Sequence, residues 1–545
     1  MLNSPISNIM TINKKIAMAM LAVAPFCADA QNPYLPMWEY IPDGEPYVFE
    51  DPDKPGEYRV YIYGSHDNLL KYYCGRDQVV WSASVNDLTN WRYDGIIFES
   101  KIGPDGRPLN HDSEGDVLYA PDVAMKLDKD GNKKYYLYPN NQAWGRNGQV
   151  AVSDRPDGPF VCSNFSKDNP TVCDGVLQFD PAVFVDDDGR VYGYWGFCKS
   201  YGAELDPETM ATVKPGCQVI ENMIPSFEQD DKYRFFEASS MRKIEDKYVF
   251  IYSRMTKDGD FGLPQVNYTL AYCYSDNPLG PWTYGGTIID GRARDVDDNG
   301  KPTYTADPFG NTHGSICQIN GQWWVFYHRQ SDQWEYNRQA MVAPITVNVE
   351  KGKGGKVTIS EAEYTSEGFQ INGLNPLYKS KAGWACYYTQ PKGVNQEYPY
   401  FYHSGPYVKA SRVGTDVREG LSSLRDYTNP VVNTTNGSTI GYKYFNFDCT
   451  TKSDNVMLKA HFKPEGLVDG TITVYVGGPK ESRGGKKIGE FSIKKTDKQE
   501  ITAFSIPVSG LKGIKGKQPL YFAITASEDG KSLCEFYDFQ FSIKE

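Results

Sequence analysis

The sequence predicts an all-β fold: a five-bladed β-propeller followed by a β-sandwich (jelly-roll-like) domain. Three observations predict it. The 545 residues include 40 Tyr, 26 Phe and 10 Trp beside 51 Gly and 34 Pro, as expected of many short strands joined by tight turns. A strand closing on a tyrosine recurs five times, at Tyr61-Ile62-Tyr63, Tyr136-Leu137-Tyr138, Tyr192-Gly193-Tyr194, Phe250-Ile251-Tyr252 and Val325-Phe326-Tyr327. Beyond about residue 345 that phrase stops, while short apolar or alternating strands continue.

In chain order, residues 1–30 read as an export signal. Lys14 and Lys15 precede an apolar run from Ile16 to Phe26, and Ala28-Asp29-Ala30 forms a small-x-small cleavage site. The chain is therefore expected in the periplasm or outside the cell, and no later stretch reads as a membrane span. Residues 31–370 carry the repeat. Its tyrosines 63, 138, 194, 252 and 327 are spaced by 75, 56, 58 and 75 residues, with Asp130-Gly131, Asp188-Gly189 and Asn320-Gly321 as hairpin turns before three copies. A second phrase follows most copies, as in Val152-Ser153-Asp154 running to Phe160, so each unit holds about four strands. Residues 371–383 are expected as a linker. Residues 384–545 form the sandwich, with strands at Thr471–Val476, Ile488–Ile493 and Leu520–Ile524. Cys162 and Cys173 are the pair expected to bridge if any cysteines do.

The net charge of −12 argues against nucleic acid as a partner. Reading back about 14–18 residues from each tyrosine reaches the innermost strand of each blade. These strands carry Asp43-Gly44-Glu45-Pro46, Ala120-Pro121-Asp122, Phe179-Asp180-Pro181, Phe236-Glu237-Ala238 and His313-Gly314-Ser315. Equivalent positions of a propeller converge on one mouth of its axis, so several acids would share one pocket. Crowded, desolvated carboxylates have raised pKa values. One protonated and one ionised carboxyl are what glycosidic hydrolysis requires. Asp122 reads as a turn or backbone-binding residue, and Asp186-Asp187-Asp188-Gly189 as a solvated hairpin rather than a calcium loop.

These segments resemble glycoside hydrolase family 43 over about residues 33–370. The resemblance rests on Tyr119–Val123, Phe179–Asp186, the Glu237 segment, and His313-Gly314-Ser315 with Trp323–Arg329. It implies a five-bladed propeller and inverting hydrolysis of arabinose- or xylose-containing plant cell-wall polysaccharides or oligosaccharides, of the α-L-arabinofuranosidase or β-D-xylosidase type. Carried over by motif, Glu237 would be the general acid, and Asp180 would tune its pKa and orient the substrate. His313 would match an axial histidine that lies near a bound calcium in some members. No cofactor is required, and a structural calcium is the one metal implied. The family's base is an Asp directly before Pro. Here Glu45 occupies that register and Asp43 keeps the residue type, so the base is Asp43, or Glu45 instead. His66, Trp81, Asn141, Trp144, Arg292 and Arg294 lie in loops that could reach the mouth as substrate contacts. The C-terminal region resembles a family 6 carbohydrate-binding module, chiefly through residues 440–447. A non-catalytic glycan-binding protein and a galactan-cleaving enzyme of the same fold are the alternatives.

Overall fold

The structure is a computed structural model that describes residues 31–69, 73–101, 115–143, 145–169, 171–306, 310–332, 335–389, 405–410, 428–450 and 455–544. The export signal read in residues 1–30 lies outside them. The described residues are all-β apart from short 3-10 turns, and none of their helices is long and apolar enough to cross a membrane.

Four consecutive antiparallel sheets of four strands come first. They comprise β1–β4 (Glu45–Glu50, Tyr58–Tyr63, Asp77–Ser84, Asp87–Glu99) and β5–β8 (Asp122–Leu127, Lys133–Tyr138, Ala151–Ser153, Val161–Cys162). The next two are β9–β12 (Ala182–Val185, Val191–Trp195, Tyr201–Leu205, Ile220–Glu221) and β13–β16 (Phe235–Ile244, Lys247–Arg254, Thr269–Ser275, Thr283–Asp290). A ribbon of β17 and β18 (Arg294–Val296, Pro302–Tyr304) leads to a fifth, three-stranded sheet of β19–β21 (Ser315–Ile319, Gln322–Gln330, Arg338–Ile345).

The recurrent tyrosines all lie on the second strand of a sheet and are buried. Their rings fill the gap between neighbouring sheets, and the hydroxyls of three cross it. Tyr63 donates to the carbonyl of Pro156, Tyr138 to Met210 and Tyr194 to Pro278, at 2.6, 2.9 and 2.8 Å. Tyr252 donates instead to the Tyr233 carbonyl at 2.6 Å, and the Tyr327 hydroxyl has no partner among the described residues, so what all five share is the packing of the ring.

Five apolar cores separate the sheets. Tyr61 and Val80 of the first pack with Leu137 of the second, and Ala124 of the second with Val191 of the third. Tyr192 of the third packs with Phe250 of the fourth, and Ile251 of the fourth with Tyr327 of the fifth. Phe326 and Val342 of the fifth then pack with Ile62 and Trp81 of the first.

A ribbon of β22 and β23 (Val347–Val349, Val357–Ile359) packs on the core between the fourth and fifth sheets, and the later strands form two sheets over one shared core that includes Trp384, Tyr442, Phe462, Phe522 and Phe539. The segment 371–383, expected as a linker, is part of this unit. Ser380 and Lys381 pair with Phe539 and Asp538, and Leu374 bridges to Phe445. Its apolar side chains had a core within reach, so the chain packs rather than spans. Cys162 and Cys173, expected to pair, both stand as free thiols.

Candidate active site

Three carboxylates from three sheets meet in a buried group. Asp43, Asp180 and Glu237 are 3%, 5% and 8% exposed, and the charges of the first two act on Glu237. Each is set by irregular backbone. Asp43 precedes β1 with φ 60°, Asp180 precedes β9 with φ 42°, and Ala238 beside Glu237 has φ 70°. Glu237 also sits between two register shifts of β13 against β14. Bulges re-aim side chains, and left-handed non-glycine residues persist only where surroundings hold them.

The three carboxyls differ in what they touch. The Arg338 guanidinium reaches both Asp43 oxygens at 3.0 and 3.2 Å, and Ser65 donates to the same carboxylate. Arg338 is itself fixed by Asp67 through bonds of 2.9 and 2.8 Å. The backbone N–H of Asp43 donates to His328 Nδ1 at 3.2 Å, and His328 Nε2 lies 2.9 Å from the Asn311 carbonyl. That pair of contacts holds His328 neutral, and burial pushes its pKa down to about 3. Burial opposes ionisation of Asp43, but its neighbours, Arg338 foremost, outweigh it and hold its pKa below the usual carboxylate range.

Asp180 accepts from Asn140 Nδ2 at 2.7 Å and from the Ala238 N–H at 3.2 Å. Burial, then the Asp43 charge, pushes its pKa up to about 8. Glu237 is pushed well up by burial and then by Asp180 and Asp43. One carboxylate is thus kept ionised beside a pair that resists losing both of its protons, the arrangement that separates a base from an acid.

Glu45 belongs elsewhere. Strand β1 begins at Glu45, so the two-residue alternation that would put Asp43 on the same side does not extend back across the φ 60° residue. The Glu45 carboxylate accepts from Arg242 at 2.8 Å and from Ser240 at 3.2 Å. Arg242 lies 4.6 Å from the Tyr47 ring centroid, and Tyr47 donates to Asp122 at 2.6 Å. Asp122 also accepts from the Val183 N–H at 2.6 Å, a backbone-binding role. Ser240 and Ser315 are 2.7 Å apart. The opening strands of the sheets therefore meet through a second polar group, distinct from the one around Asp43.

Several expected substrate contacts are packed away. Trp81 is 1% exposed, donates to Glu39 at 2.9 Å and lies in the core between the fifth and first sheets. His66 is clamped by Asp77 at 2.6 Å and Glu39 at 3.3 Å, and these acids hold its pKa up at about 10 against burial. Asn141 spends its amide on Asp116, Gln149 and the Ala143 N–H. Arg292 is buried against Asp290 and the Pro264 carbonyl. Arg294 pairs with Asp290 and Glu361 and lies over Phe261. These polar side chains answer buried or junction charges, a demand that a loop position in sequence does not display. Trp144 lies outside the described residues. The residues that sequence reasoning missed are Ser65, Asn140, His328 and Arg338. Asn140 is adjacent to an expected residue, and His328 follows an aligned tyrosine.

His313 is buried, with Nδ1 3.7 Å from Asp180 and Nε2 without a hydrogen-bond partner among the described residues. Burial pushes its pKa down to about 4. Calcium takes six to eight oxygen ligands. Among the described residues no three His, Cys, Asp or Glu side chains gather to hold an ion, so one imidazole nitrogen does not by itself fit calcium.

The profile of the glycosyl hydrolases family 43 matches residues 47–351. Over 527 residues the chain is 32% identical to a xylosidase/arabinosidase of Thermoclostridium stercorarium, spanning 91% of this chain and 96% of that protein. It is 30% identical to xylosidase/arabinosidase 43A of Humicola insolens, over 53% of this chain and 88% of that protein. It is also 30% identical to a beta-xylosidase of Xylanibacter ruminicola, over 53% and 88%.

Proposed function

Because this chain belongs to the glycosyl hydrolases family 43, we propose that Asp43, Asp180 and Glu237 carry out its reaction with inversion. It is a glycosidase of the xylosidase/arabinofuranosidase type. The observation that carries the mechanism is that three buried carboxylates share one site while Arg338 contacts Asp43 alone of the three.

Asp43, kept ionised, is the base that takes a proton from the attacking water. Arg338 and Ser65 fix its carboxylate, so little reorganisation is needed when the water binds. Glu237, kept protonated in its buried setting, gives its proton to the glycosidic oxygen. Its carboxyl makes no side-chain hydrogen bond among the described residues, which leaves the proton available to the leaving group. Asp180 raises the Glu237 pKa through its charge, and its own carboxyl is oriented by Asn140 and the Ala238 N–H. Water adds to the face opposite the leaving group, so one displacement inverts the anomeric carbon. No step is assigned to a metal.

The substrates proposed are arabinose- or xylose-containing plant polysaccharides and their oligosaccharides. The five sheets are proposed as propeller blades. The five inter-sheet cores and the meeting of the opening strands through Glu45, Arg242, Asp122 and Ser315 support this. The C-terminal two-sheet unit is proposed as a carbohydrate-binding-module-like domain, and the chain as an exported protein. Proton NMR of the first-formed sugar from an aryl xyloside or arabinofuranoside tests the mechanism. The inverted anomer is expected, and a retained anomer would overturn it. Glu237→Gln is expected to lower kcat by about 10²–10⁴-fold.

A further inference from the structure

A cavity of about 360 Å³ lies where the fourth sheet meets the C-terminal unit. Asp290, Arg294, Glu361, Glu363, Tyr364 and Lys443 line it. Asp290 ends β16, Arg294 begins β17, and Lys443 belongs to the C-terminal unit. Residues 361–364 alternate between solvent and core. Glu361 and Glu363 are exposed, while Ala362 and Tyr364 pack in the core between the fourth and fifth sheets, the two-residue period of extended chain. The Ala362 N–H fixes this segment against β16 by donating to the Ile288 carbonyl at 2.7 Å.

Carboxylates and cations are interleaved around the cavity. Arg294 lies 3.1 Å from Asp290, and its guanidinium also pairs with Glu361. Lys443 lies 3.1 Å from Glu363, to which the Tyr444 hydroxyl donates at 2.7 Å. Three carboxylates against two cations leave no surplus positive charge for an anion. Each carboxylate already has a cation against it, so a metal ion finds no unclaimed ligand. Glu361 and Glu363 keep 39% and 50% of their side-chain surface exposed, and a carboxylate in one ion pair retains further lone pairs. Such walls suit a neutral ligand rich in hydroxyls, since each hydroxyl donates to a carboxylate while accepting from a cation.

We infer that this cavity is a second sugar site, which anchors a xylose- or arabinose-containing polysaccharide away from the bond being cleaved. The inference rests on the proposed substrate class. Strand register gives its place. The row of partners Glu237, Ser253, Leu270 and Ile289 crosses the fourth sheet and ends one residue before Asp290. Three strand spacings put this edge of the cavity roughly 14 Å from Glu237, at the same end of the sheet. A polysaccharide spans that distance, whereas an aryl glycoside does not. Chain held in the cavity is thereby concentrated beside Glu237, and the cavity takes no part in the reaction itself.

Calorimetric titration of xylotetraose, and separately of arabinotetraose, into Glu237→Gln protein counts sites with little turnover. Glu237→Gln/Glu363→Ala is expected to bind one fewer tetraose per chain, and the sugar that shows the loss identifies the pentose held. In the otherwise wild-type chain, Glu363→Ala is expected to raise KM on arabinoxylan about tenfold while kcat/KM on an aryl xyloside or arabinofuranoside stays unchanged. Glu361→Ala repeats both measurements at a second wall residue, and a thermal melt of each variant checks the fold. An unchanged number of sites with both variants, or equal losses on polymer and aryl glycoside, would overturn the inference while leaving the hydrolase reading intact. Wild-type protein that turned over neither aryl glycoside would overturn the hydrolase reading, and the titration would still decide the cavity.

Discussion

Asp43 and Glu45 are two residues apart and both buried, yet their surroundings assign them different work. Asp43→Asn is expected to lower kcat by about 10²–10⁴-fold. Glu45→Gln is expected to keep kcat but to lower the melting temperature, because it leaves the Arg242 charge buried without its anion. Paired kinetics and melts on the two variants check this, and a silent Asp43→Asn would return the base to Glu45. The pH profile follows from the same contacts. The proposed base works when ionised, and the neighbours of Asp43, Arg338 foremost, hold its pKa low. Activity should therefore persist on the acid side down to below the usual carboxylate value of about 4. The acid works when protonated and loses its proton as pH rises through the raised values of the Asp180 and Glu237 pair, about 8 for Asp180. Removing the Asp180 charge removes one cause of the raised Glu237 pKa. Asp180→Asn should therefore move the alkaline limb of kcat/KM to lower pH, and a limb that stayed in place would exclude the tuning role.

At the scale of the element, the three carboxylates proposed as catalytic depend on backbone that departs from regular strand. Gly64, just after β2, shows how tightly one such segment is held. A Cβ at Gly64 would lie 2.2 Å from the Pro42 carbonyl oxygen, immediately before Asp43. Gly64→Ala must displace either strand end or the Asp43 turn. A displacement of about 1 Å at a reacting group costs on the order of 10²-fold in rate. Gly64→Ala is therefore expected to lower kcat at least about tenfold while KM changes little, as steady-state kinetics on an aryl glycoside would show. An unchanged kcat would mean that the Asp43 turn tolerates the shift. The buried tyrosines carry the opposite lesson. Their rings and hydroxyls serve the packing between sheets, which is why they formed the clearest repeat while touching no reacting group.

At the scale of the whole molecule, the C-terminal unit is joined to the fifth sheet and to the β17–β18 ribbon through polar contacts. Arg329 donates to the carbonyls of Ala385 and Gly383 at 2.7 and 2.5 Å and to Gln339. The Tyr388 N–H reaches the Thr305 carbonyl at 2.6 Å, and Arg483 pairs with Asp295 at 3.1 Å. Replacing Arg329 by Met leaves buried carbonyls without donors, a cost of about 1–3 kcal/mol for each group. Calorimetry of the wild type should show one cooperative transition. Arg329→Met should lower its midpoint and separate the two units into distinct transitions. A single unshifted transition would mean that this junction contributes little to coupling.

Composition and the spaced tyrosine strands were enough to read an all-β chain with five related sheets and a different C-terminal texture. Strand periodicity and turn chemistry are local, and the same core had to be built five times. The acids at Asp43, Asp180 and Glu237 were legible for a similar reason, since each holds an equivalent place before or within an opening strand. The contacts around them were not. Arg338 lies 295 residues from Asp43 and Asn140 lies 40 from Asp180, and nothing local to either residue indicates which carboxylate it will meet. The same holds for Trp81 and His66, whose polar atoms meet Glu39 from the segment before β1, whereas Arg292 pairs with Asp290 only two residues before it. Tertiary structure decided which acid keeps its proton and which loses it, because burial and neighbouring charge set that balance, and both exist only once the chain has closed around the site.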